Sequence, residues 1–339
     1  MARVRVFFLL IVAAMVGSCS MFDYSGLVTH KYALVYGVTR YVLNPLVSST
    51  PDPNLSYPGA DAQDVAAMLT NAGYTVHSRW IDPSGEIFVD GVDQGTTIND
   101  FSVDPRAPSK ARIEQDVQTY GLQVGSNDTF VFYFSGHGMP NADPSTQEWF
   151  VPYGAIMYLQ DSSIEGHGYY GDPSSSIGDS EFGGILSASI ATPRKVVILD
   201  TCNSGGFIGN SLEADIMPAH YTGGTPIVTP VEIGQAIANY ATFQASAGGI
   251  SPYNAEVLAA AGSNESCYEY SAPFNHGIMT YFLLQTPSQA DLNNDGHVTV
   301  LEAFSFVKAG INTQWNGKVG SSATFSPHVS GGPVDFVLF

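Results

Sequence analysis

Stretches of two kinds alternate along the chain. Some short runs are apolar on nearly every position, which is typical of strands buried on both faces of a sheet. Four such runs lie at residues 32–38, 128–135, 195–200 and 255–261, and a more mixed stretch at 74–80 is also predicted to be a strand. Because these runs are too short for buried helices and end in polar or glycine-rich residues, we interpret them as strands.

Other stretches carry apolar residues at helical spacing. Helices are predicted over residues 59–74, 109–124 and 179–190. In the first of them, Val65, Met68 and Leu69 share one face and a glycine near the end provides a stop. Strands and helices therefore alternate, which predicts an α/β fold with a mostly parallel central sheet covered by helices on both sides.

Three long connections interrupt this alternation, at residues 79–108, 139–180 and 203–254. Long loops in a compact domain usually carry function or are mobile. The sequence shows no internal repeat and no low-complexity tract, so the connections are expected to belong to the same domain as the strands.

Composition limits the class of protein. With 339 residues, 44% hydrophobic and 13% charged, the chain can bury a core as one large domain or two small ones. Its net charge of −19 comes from 12 Lys and Arg against 31 Asp and Glu. Such a charge argues against nucleic acid or an anionic membrane surface as the main partner. It fits an extracytoplasmic protein, basic substrates or divalent cations.

The N-terminus is typical of a secretory signal. Two arginines precede an apolar run from Val6 to Val16, which is short for a membrane span. The following "VGSC" resembles a bacterial lipobox, so we predict a signal peptide over residues 1–18 and lipidation of Cys19. Residues 19–29 would form a tether and residues 30–339 one domain. The protein would then be a membrane-anchored lipoprotein, in the outer membrane or periplasm. An ordinary cleaved signal with a chance cysteine is the alternative.

Two predicted strands end in polar residues flanked by glycine. "FVFYFSGHGMP" presents His137, and "VVILDTCNSGG" presents Cys202. Ligands of parallel sheets bind beyond the carboxyl ends of strands, where a histidine can activate a thiol and backbone N–H groups can bind an oxyanion. Alone, each residue would be interpreted as a packed cysteine or a surface histidine. Together, at equivalent strand ends, they favour a nucleophile and its base.

These motifs resemble those of a known family. "YFSGHG" and "LDTCNSGG" are similar to the histidine and cysteine motifs of caspases, metacaspases, paracaspases and, more distantly, legumain-type peptidases. "ALVYGVTRYV" and "GADAQDVAAML" are similar to the first strand and helix of that fold, and "VLAAAGSNESCYEY" with "HGIMTYFLL" to its late strand and helix. The resemblance implies a caspase-like three-layer α/β/α sandwich and cysteine endopeptidase activity on a protein or peptide substrate.

The resemblance also implies roles in catalysis. His137 would be the general acid and base and Cys202 the nucleophile, with the N–H groups of Gly138 and Cys202 as the oxyanion hole. The intact pair of His137 and Cys202 argues against one alternative, a catalytically silent caspase-fold scaffold. A calcium-dependent adhesion protein of the cell envelope is another alternative, but it leaves the two strand ends without a purpose.

Metacaspase-like recognition of a basic P1 side chain would use further residues. The matching positions are Ser135, Asp200 and an acid of the first helix, for which Asp64 is the best match. Glu265 or Glu269 would border the same pocket. Asp200 could instead only bind loop amides at the strand end. The sequence matches no single branch of the family fully, so the P1 preference stays open at this point.

A second motif predicts a calcium site. "DLNNDGHVTVLE" at residues 291–302 matches the EF-hand loop pattern. The predicted ligands are Asp291, Asn293, Asp295, the carbonyl group of His297, and Glu302, with Gly296 at the sharp turn and Thr299 at the ninth position. A single loop of this kind suggests a structural Ca²⁺ ion. The alternative is an acidic turn with Thr299 as the N-cap of the next helix.

The third cysteine, Cys267, raises a question of redox chemistry. With Cys19 lipidated, only Cys202 and Cys267 remain, and an oxidising compartment could pair them. Such a disulfide would silence the enzyme reversibly. A half-buried reduced thiol at Cys267 is the simpler interpretation.

Overall fold

The computed structural model describes residues 29–43, 54–98, 104–140, 148–159, 169–171, 174–202, 204–207, 255–262, 265–318, 323–329 and 335–339. The predicted signal peptide, most of the tether, Cys19 and most of the connection at 203–254 lie outside these residues. Within the described part, no helix is both long enough and apolar enough to cross a membrane.

Sixteen strands and six α-helices are defined within the described residues. The strands are β1 (Lys31–Val38), β2 (Val42–Leu43), β3 (Thr75–Ile81), β4 (Glu86–Val89), β5 (Val92–Thr97), β6 (Thr129–Ser135), β7 (Gly138–Pro140), β8 (Glu148–Phe150), β9 (Ile156–Leu159), β10 (Tyr169–Gly171), β11 (Ile177–Gly178), β12 (Lys195–Asp200), β13 (Glu256–Ala259), β14 (Glu269–Tyr270), β15 (His276–Gly277) and β16 (His328–Val329). The helices are α1 (Pro58–Asn71), α2 (Lys110–Gly121), α3 (Asp179–Ser189), α4 (Ile278–Leu283), α5 (Thr286–Gln289) and α6 (Val300–Gly310).

The central sheet has eight strands in the order β16-β13-β12-β6-β1-β3-β4-β5. The five strands from β13 to β3 pair in parallel. The outer strands β16, β4 and β5 are antiparallel to their neighbours. The prediction of a mostly parallel sheet is therefore confirmed.

Helices cover both faces of this sheet. Alternate residues of each strand point to opposite faces: Ala33 and Val35 of β1 join one core with α1, α4 and α6, whereas Leu34 and Tyr36 join a second core with α2 and α3. The protein is thus a three-layer α/β/α sandwich, as expected. Its central strands read as unbroken apolar runs because both faces are buried.

A hairpin lies inside the stretch at 79–108, which sequence analysis interpreted as a loop. Strands β4 and β5 pair across Asp90 and Gly91, both of which have positive φ values. Positive φ at two successive residues is the geometry of a tight hairpin turn, and Asp-Gly is its common sequence. Because β5 is a polar, exposed edge strand, it has no apolar run, and the Asp-Gly pair was the only local signal for it.

Candidate active site

The sheet register brings the two predicted catalytic residues together. Strands β6 and β12 are parallel neighbours, and Ser135 at the end of one is paired with Asp200 at the end of the other. His137 and Cys202 each follow two residues beyond that pair. Their juxtaposition at the carboxyl edge of the sheet therefore follows from the register itself.

Tyr41 holds the His137 segment in place. The His137 backbone N–H donates to the Tyr41 hydroxyl oxygen at 2.7 Å, and the two rings lie 4.6 Å apart at a tilted angle. A Cβ atom at Gly136 would lie 2.5 Å from the same hydroxyl, so glycine is required there. Sequence analysis missed Tyr41, although it stands in the quoted "ALVYGVTRYV" just beyond the first strand.

Gly138 lies against the backbone of Cys202. A Cβ atom at Gly138 would lie 1.9 Å from the carbonyl oxygen of Cys202. The Val151 N–H donates to the His137 carbonyl oxygen at 2.9 Å, so the backbone carbonyl group of His137 points towards β8. Since successive N–H groups of a strand point to opposite sides, the Gly138 N–H points away from β8. This orientation is compatible with the predicted oxyanion hole.

A cleft of about 170 Å³ lies beside these residues. It is lined by Leu55, Pro58, Asp61, Ser135, Gly136, His137, Asp200, Cys202, Ser266, Cys267, Tyr268, Glu269 and Gly277. The predicted Ser135 and Asp200 are among them, whereas Asp64 and Glu265 are not. Three carboxylates in one small cleft make a site suited to a cationic group.

The acid that α1 contributes to the cleft is Asp61 and not Asp64. Asp61 is 1% exposed, whereas the Asp64 side chain is 52% exposed. The helical phase explains the error, because Asp61, Val65 and Leu69 form one i, i+4 stripe that faces the sheet. The apolar face identified from the sequence already contained this signal.

Asp61 organises one wall of the cleft through hydrogen bonds. Its carboxylate accepts from the Ser135 hydroxyl at 2.9 Å and from the Gly277 N–H at 3.2 Å. It also forms an ion pair with His276, with 2.8 Å between Nδ1 and Oδ1. Burial alone would lower the pKa of His276, but the hydrogen bond to Asp61 and the charges of Asp61, Asp64 and Asp200 together raise it. His276 therefore lies where it gives Asp61 a counter-charge when its imidazole is protonated.

Asp200 accepts hydrogen bonds from Thr280 and from the Cys267 side chain, but it has no cationic partner within the described residues. Its Oδ2 accepts from the Thr280 N–H at 3.0 Å and from the Thr280 hydroxyl at 2.6 Å. Burial, and next the charge of Asp61, raise the pKa of Asp200 to about 7. A cation entering the cleft would offset both effects.

Of the two candidate glutamates, Glu269 lines the cleft. It accepts hydrogen bonds from the N–H groups of Ser56 and Tyr57 at 2.8 to 3.0 Å, and its pKa is raised mainly by burial. Glu265 instead accepts from the N–H groups of Gly262 and Ser326, and so holds two loops together. The structure therefore places Glu269, and not the predicted Glu265, in the lining of the cleft.

Ser266 and Cys267 also line the cleft. Ser266 is 3% exposed, and its hydroxyl oxygen has no hydrogen-bond partner among the described residues. The Cys267 sulfur lies 3.8 Å from the Cys202 sulfur. Neither residue was predicted to line a substrate pocket, because a short polar stretch after a strand carries no periodic signal.

The predicted calcium loop is closed by its own hydrogen bonds. Asp291 accepts from the N–H groups of Asp295 and Gly296 at 3.1 and 2.9 Å. Glu302 accepts from the Thr299 N–H at 2.9 Å, while the Thr299 hydroxyl accepts from the Glu302 N–H. This capping box begins α6, as the alternative interpretation of Thr299 as N-cap expects.

The same loop keeps features of a cation site. Gly296 has a φ of +86° at the predicted sharp turn, and Asn293 and Asp295 are exposed. Across the described residues, no three His, Cys, Asp or Glu side chains are arranged as a metal site. The predicted ligand set includes an amide and a carbonyl group, so it fits oxygen-seeking Ca²⁺ better than a metal that prefers nitrogen or sulfur.

The fold and the paired strand ends define the class of caspase-fold proteins. The caspase domain family, Peptidase C14, matches this sequence over residues 30–324, so the chain belongs to that family of cysteine peptidases. Protein substrates are implied for such a family. None of the curated proteins compared with the chain matches it.

A solved structure is also similar to this chain. The protein GSU0716 from Geobacter sulfurreducens is 15% identical in sequence, with a TM-score of 0.49. The match covers 90% of this chain and 95% of that one.

Proposed function

We propose that this protein is a cysteine endopeptidase that uses His137 and Cys202 and cleaves after a basic P1 residue. The observation that carries the proposal is the register of β6 and β12, which sets the two residues beside a cleft with three carboxylates. The family supplies the reaction class.

The site residues divide the chemistry between them. His137 takes the proton of the Cys202 thiol, and the thiolate attacks the scissile carbonyl carbon. The negative oxygen that forms is bound by the N–H groups of Gly138 and Cys202. His137 then protonates the leaving amine, and water, deprotonated by His137, hydrolyses the thioester to release the acid product and the thiol.

The charge of the cleft supports a basic P1 residue. Asp61 is balanced by His276, but Asp200 and Glu269 are not balanced by a described cation. Opposite charges about 4 Å apart attract by about 4 kcal/mol at an effective dielectric constant near 20. An acidic P1 side chain would be repelled by a comparable amount, so the electrostatic term separates basic from acidic substrates strongly.

Cleavage of fluorogenic peptides that differ only at P1 tests the proposed function. With Arg, Lys, Asp or Asn at P1, we expect kcat/KM for Arg and Lys to exceed that for Asp by roughly a hundredfold or more. Preference for Asp or Asn would contradict the basic specificity. No cleavage of any peptide by the folded protein would favour a caspase-fold scaffold.

The proposal includes a Ca²⁺ ion at residues 291–302. The segment after the loop's turn pairs with the C-terminus: Val298 donates to the Phe339 carbonyl oxygen at 3.0 Å and accepts from the Leu338 N–H at 2.8 Å. The Tyr74 hydroxyl in turn donates to the Leu338 carbonyl oxygen. A cation in the loop would therefore brace α6 and the C-terminus against the sheet.

Calcium is expected to raise the thermal stability of the protein. The affinity should be modest, with a Kd of about 10⁻⁴ to 10⁻³ M, as in other extracytoplasmic modules. Calorimetric titration measures the affinity for Ca²⁺, and the Tm in Ca²⁺ compared with the Tm in chelator measures the stabilisation. Asp291→Asn should remove the response, whereas the exposed Asp93→Asn should keep it. An unchanged Tm and no binding heat in the parent protein would contradict the calcium site.

The proposal also places the protein outside the cytoplasm, attached to a membrane through lipid on Cys19. The apolar run and the "VGSC" sequence support this placement. The parent chain should incorporate a labelled fatty acid, and Cys19→Ala should not. Equal incorporation by both chains would contradict an anchor at Cys19.

A further inference from the structure

Two of the three cysteines of the chain meet in the candidate active site. The sulfur atoms of Cys202 and Cys267 lie 3.8 Å apart, although 65 residues separate them in the sequence. The Cys202 sulfur also lies 3.6 Å from the Cys267 carbonyl oxygen. Both residues are half-buried and line the same cleft, so a small reagent that enters the cleft reaches both.

Little movement is needed to join these sulfurs. A disulfide bond requires about 2.0 Å between them, so they must approach by roughly 1.8 Å, which rotation of two side chains can supply. Cys202 lies two residues beyond the end of β12, and Cys267 lies two residues before β14.

The surroundings also supply an acceptor for a thiol proton. The Cys267 side chain hydrogen-bonds the Asp200 carboxylate. This hydrogen bond lowers the pKa of Asp200, whereas burial raises it. Asp200 is thus the proton acceptor beside Cys267, as His137 is proposed to be beside Cys202. Because the pKa of Asp200 is raised to about 7, its carboxylate can take the thiol proton when the Cys267 sulfur attacks a disulfide.

We propose that Cys267 is a modification site that forms a reversible disulfide with Cys202, with a low-molecular-weight disulfide as the oxidant. This inference rests on the proposed function, since it assigns a regulation to the same nucleophile. The Cys202 thiolate attacks the small disulfide, which gives a mixed disulfide and one thiolate. Cys267 then attacks the Cys202 sulfur and expels the second thiolate. Two protein thiols are oxidised and one small disulfide is reduced to two thiols.

The cross-link would act on the enzyme in two ways. It removes the nucleophile, and it draws the Cys267 wall of the cleft towards Cys202, where the P1 side chain would enter. Reduction restores both. The cross-link would therefore keep the peptidase inactive in an oxidising compartment until a thiol reductant reaches it.

Peptide mapping without reduction tests the cross-link independently of activity. The full chain carrying Cys19→Ser, which removes the third thiol, is incubated with oxidised glutathione and digested. We expect a peptide linking 202 to 267, a loss of cleavage activity of roughly tenfold or more, and recovery with dithiothreitol. Adding Cys267→Ser should abolish the linked peptide and leave glutathione attached to Cys202.

Glutathione attached to Cys202 without a linked peptide, in the chain that keeps Cys267, would overturn the inference. The two proposals fail separately. If the linked peptide forms but the reduced protein cleaves nothing, the cross-link stands and the proposed peptidase function fails. If the reduced protein is active and no linked peptide forms, the function stands and the cross-link fails.

Discussion

Cys202→Ala is expected to abolish peptide cleavage, with kcat lowered by about 10⁴-fold or more, because the thiol that His137 is proposed to activate is removed. The side chain is half-buried and follows the end of β12, so its truncation leaves the strand and its pairing with β6 intact. An unchanged Tm should therefore accompany the loss of activity. The measurement is single-turnover cleavage of a peptide with Arg at P1.

His137→Ala should lower the rate to a similar extent, since nucleophile and base act as a unit. The matched control is His30→Ala, because the His30 side chain is 59% exposed and lies at the other end of β1. Equal losses in both histidine variants, or cleavage that persists without Cys202, would show that the activity comes from another site.

The placement of His137 beside Cys202 could be predicted from the sequence because it depends on topology. Once β6 and β12 are recognised as parallel buried strands, their polar ends must meet at one edge of the sheet. The pairing of Ser135 with Asp200 then sets His137 beside Cys202. Local patterns sufficed because His137 and Cys202 each lie two residues beyond the end of a strand.

The cleft was harder to predict because its walls come from five separate segments. Asp61 and Asp64 both fit a helix start, and only the phase of α1 distinguishes them. Glu265 and Glu269 are four residues apart in an irregular stretch, where no periodicity indicates which one faces inward. Which acid of each pair faces the cleft depends on tertiary contacts, and local sequence patterns carry no information on those contacts.

The distribution of charge in the cleft could also be predicted only in part. The sequence shows an excess of acids. It does not show that His276 pairs with Asp61, or that Asp200 lacks a cationic partner among the described residues. This asymmetry makes Asp200 and Glu269 the carboxylates of the cleft that lack a cationic partner among the described residues. Removal of Asp61 would also release His276, whose pKa is raised by that partner, so the two charges would be lost together.

Asp200→Asn is therefore expected to reduce the preference for a charged P1 side chain. The ratio of kcat/KM for Arg over citrulline at P1 should fall about tenfold to a hundredfold, because a hydrogen bond to a charged group is worth about 1.5–3 kcal/mol. Citrulline has nearly the shape of Arg without its charge, so the ratio isolates electrostatics. Asp64→Asn, on the exposed side of α1, should leave the ratio nearly unchanged.

The pH dependence of that ratio identifies the acid. The pKa of Asp200 is raised to about 7 in the unliganded cleft, by burial and by the charge of Asp61. Below that pH the carboxyl group is neutral and attracts Arg weakly, whereas above it the carboxylate is ionised. The Arg-to-citrulline ratio of the parent protein should therefore rise as the pH increases through 7, and Asp200→Asn should flatten that rise. Since titration of His137 and Cys202 affects both peptides equally, it cancels from the ratio. A rise that persists in Asp200→Asn would assign the selectivity to Glu269 or Asp61 instead.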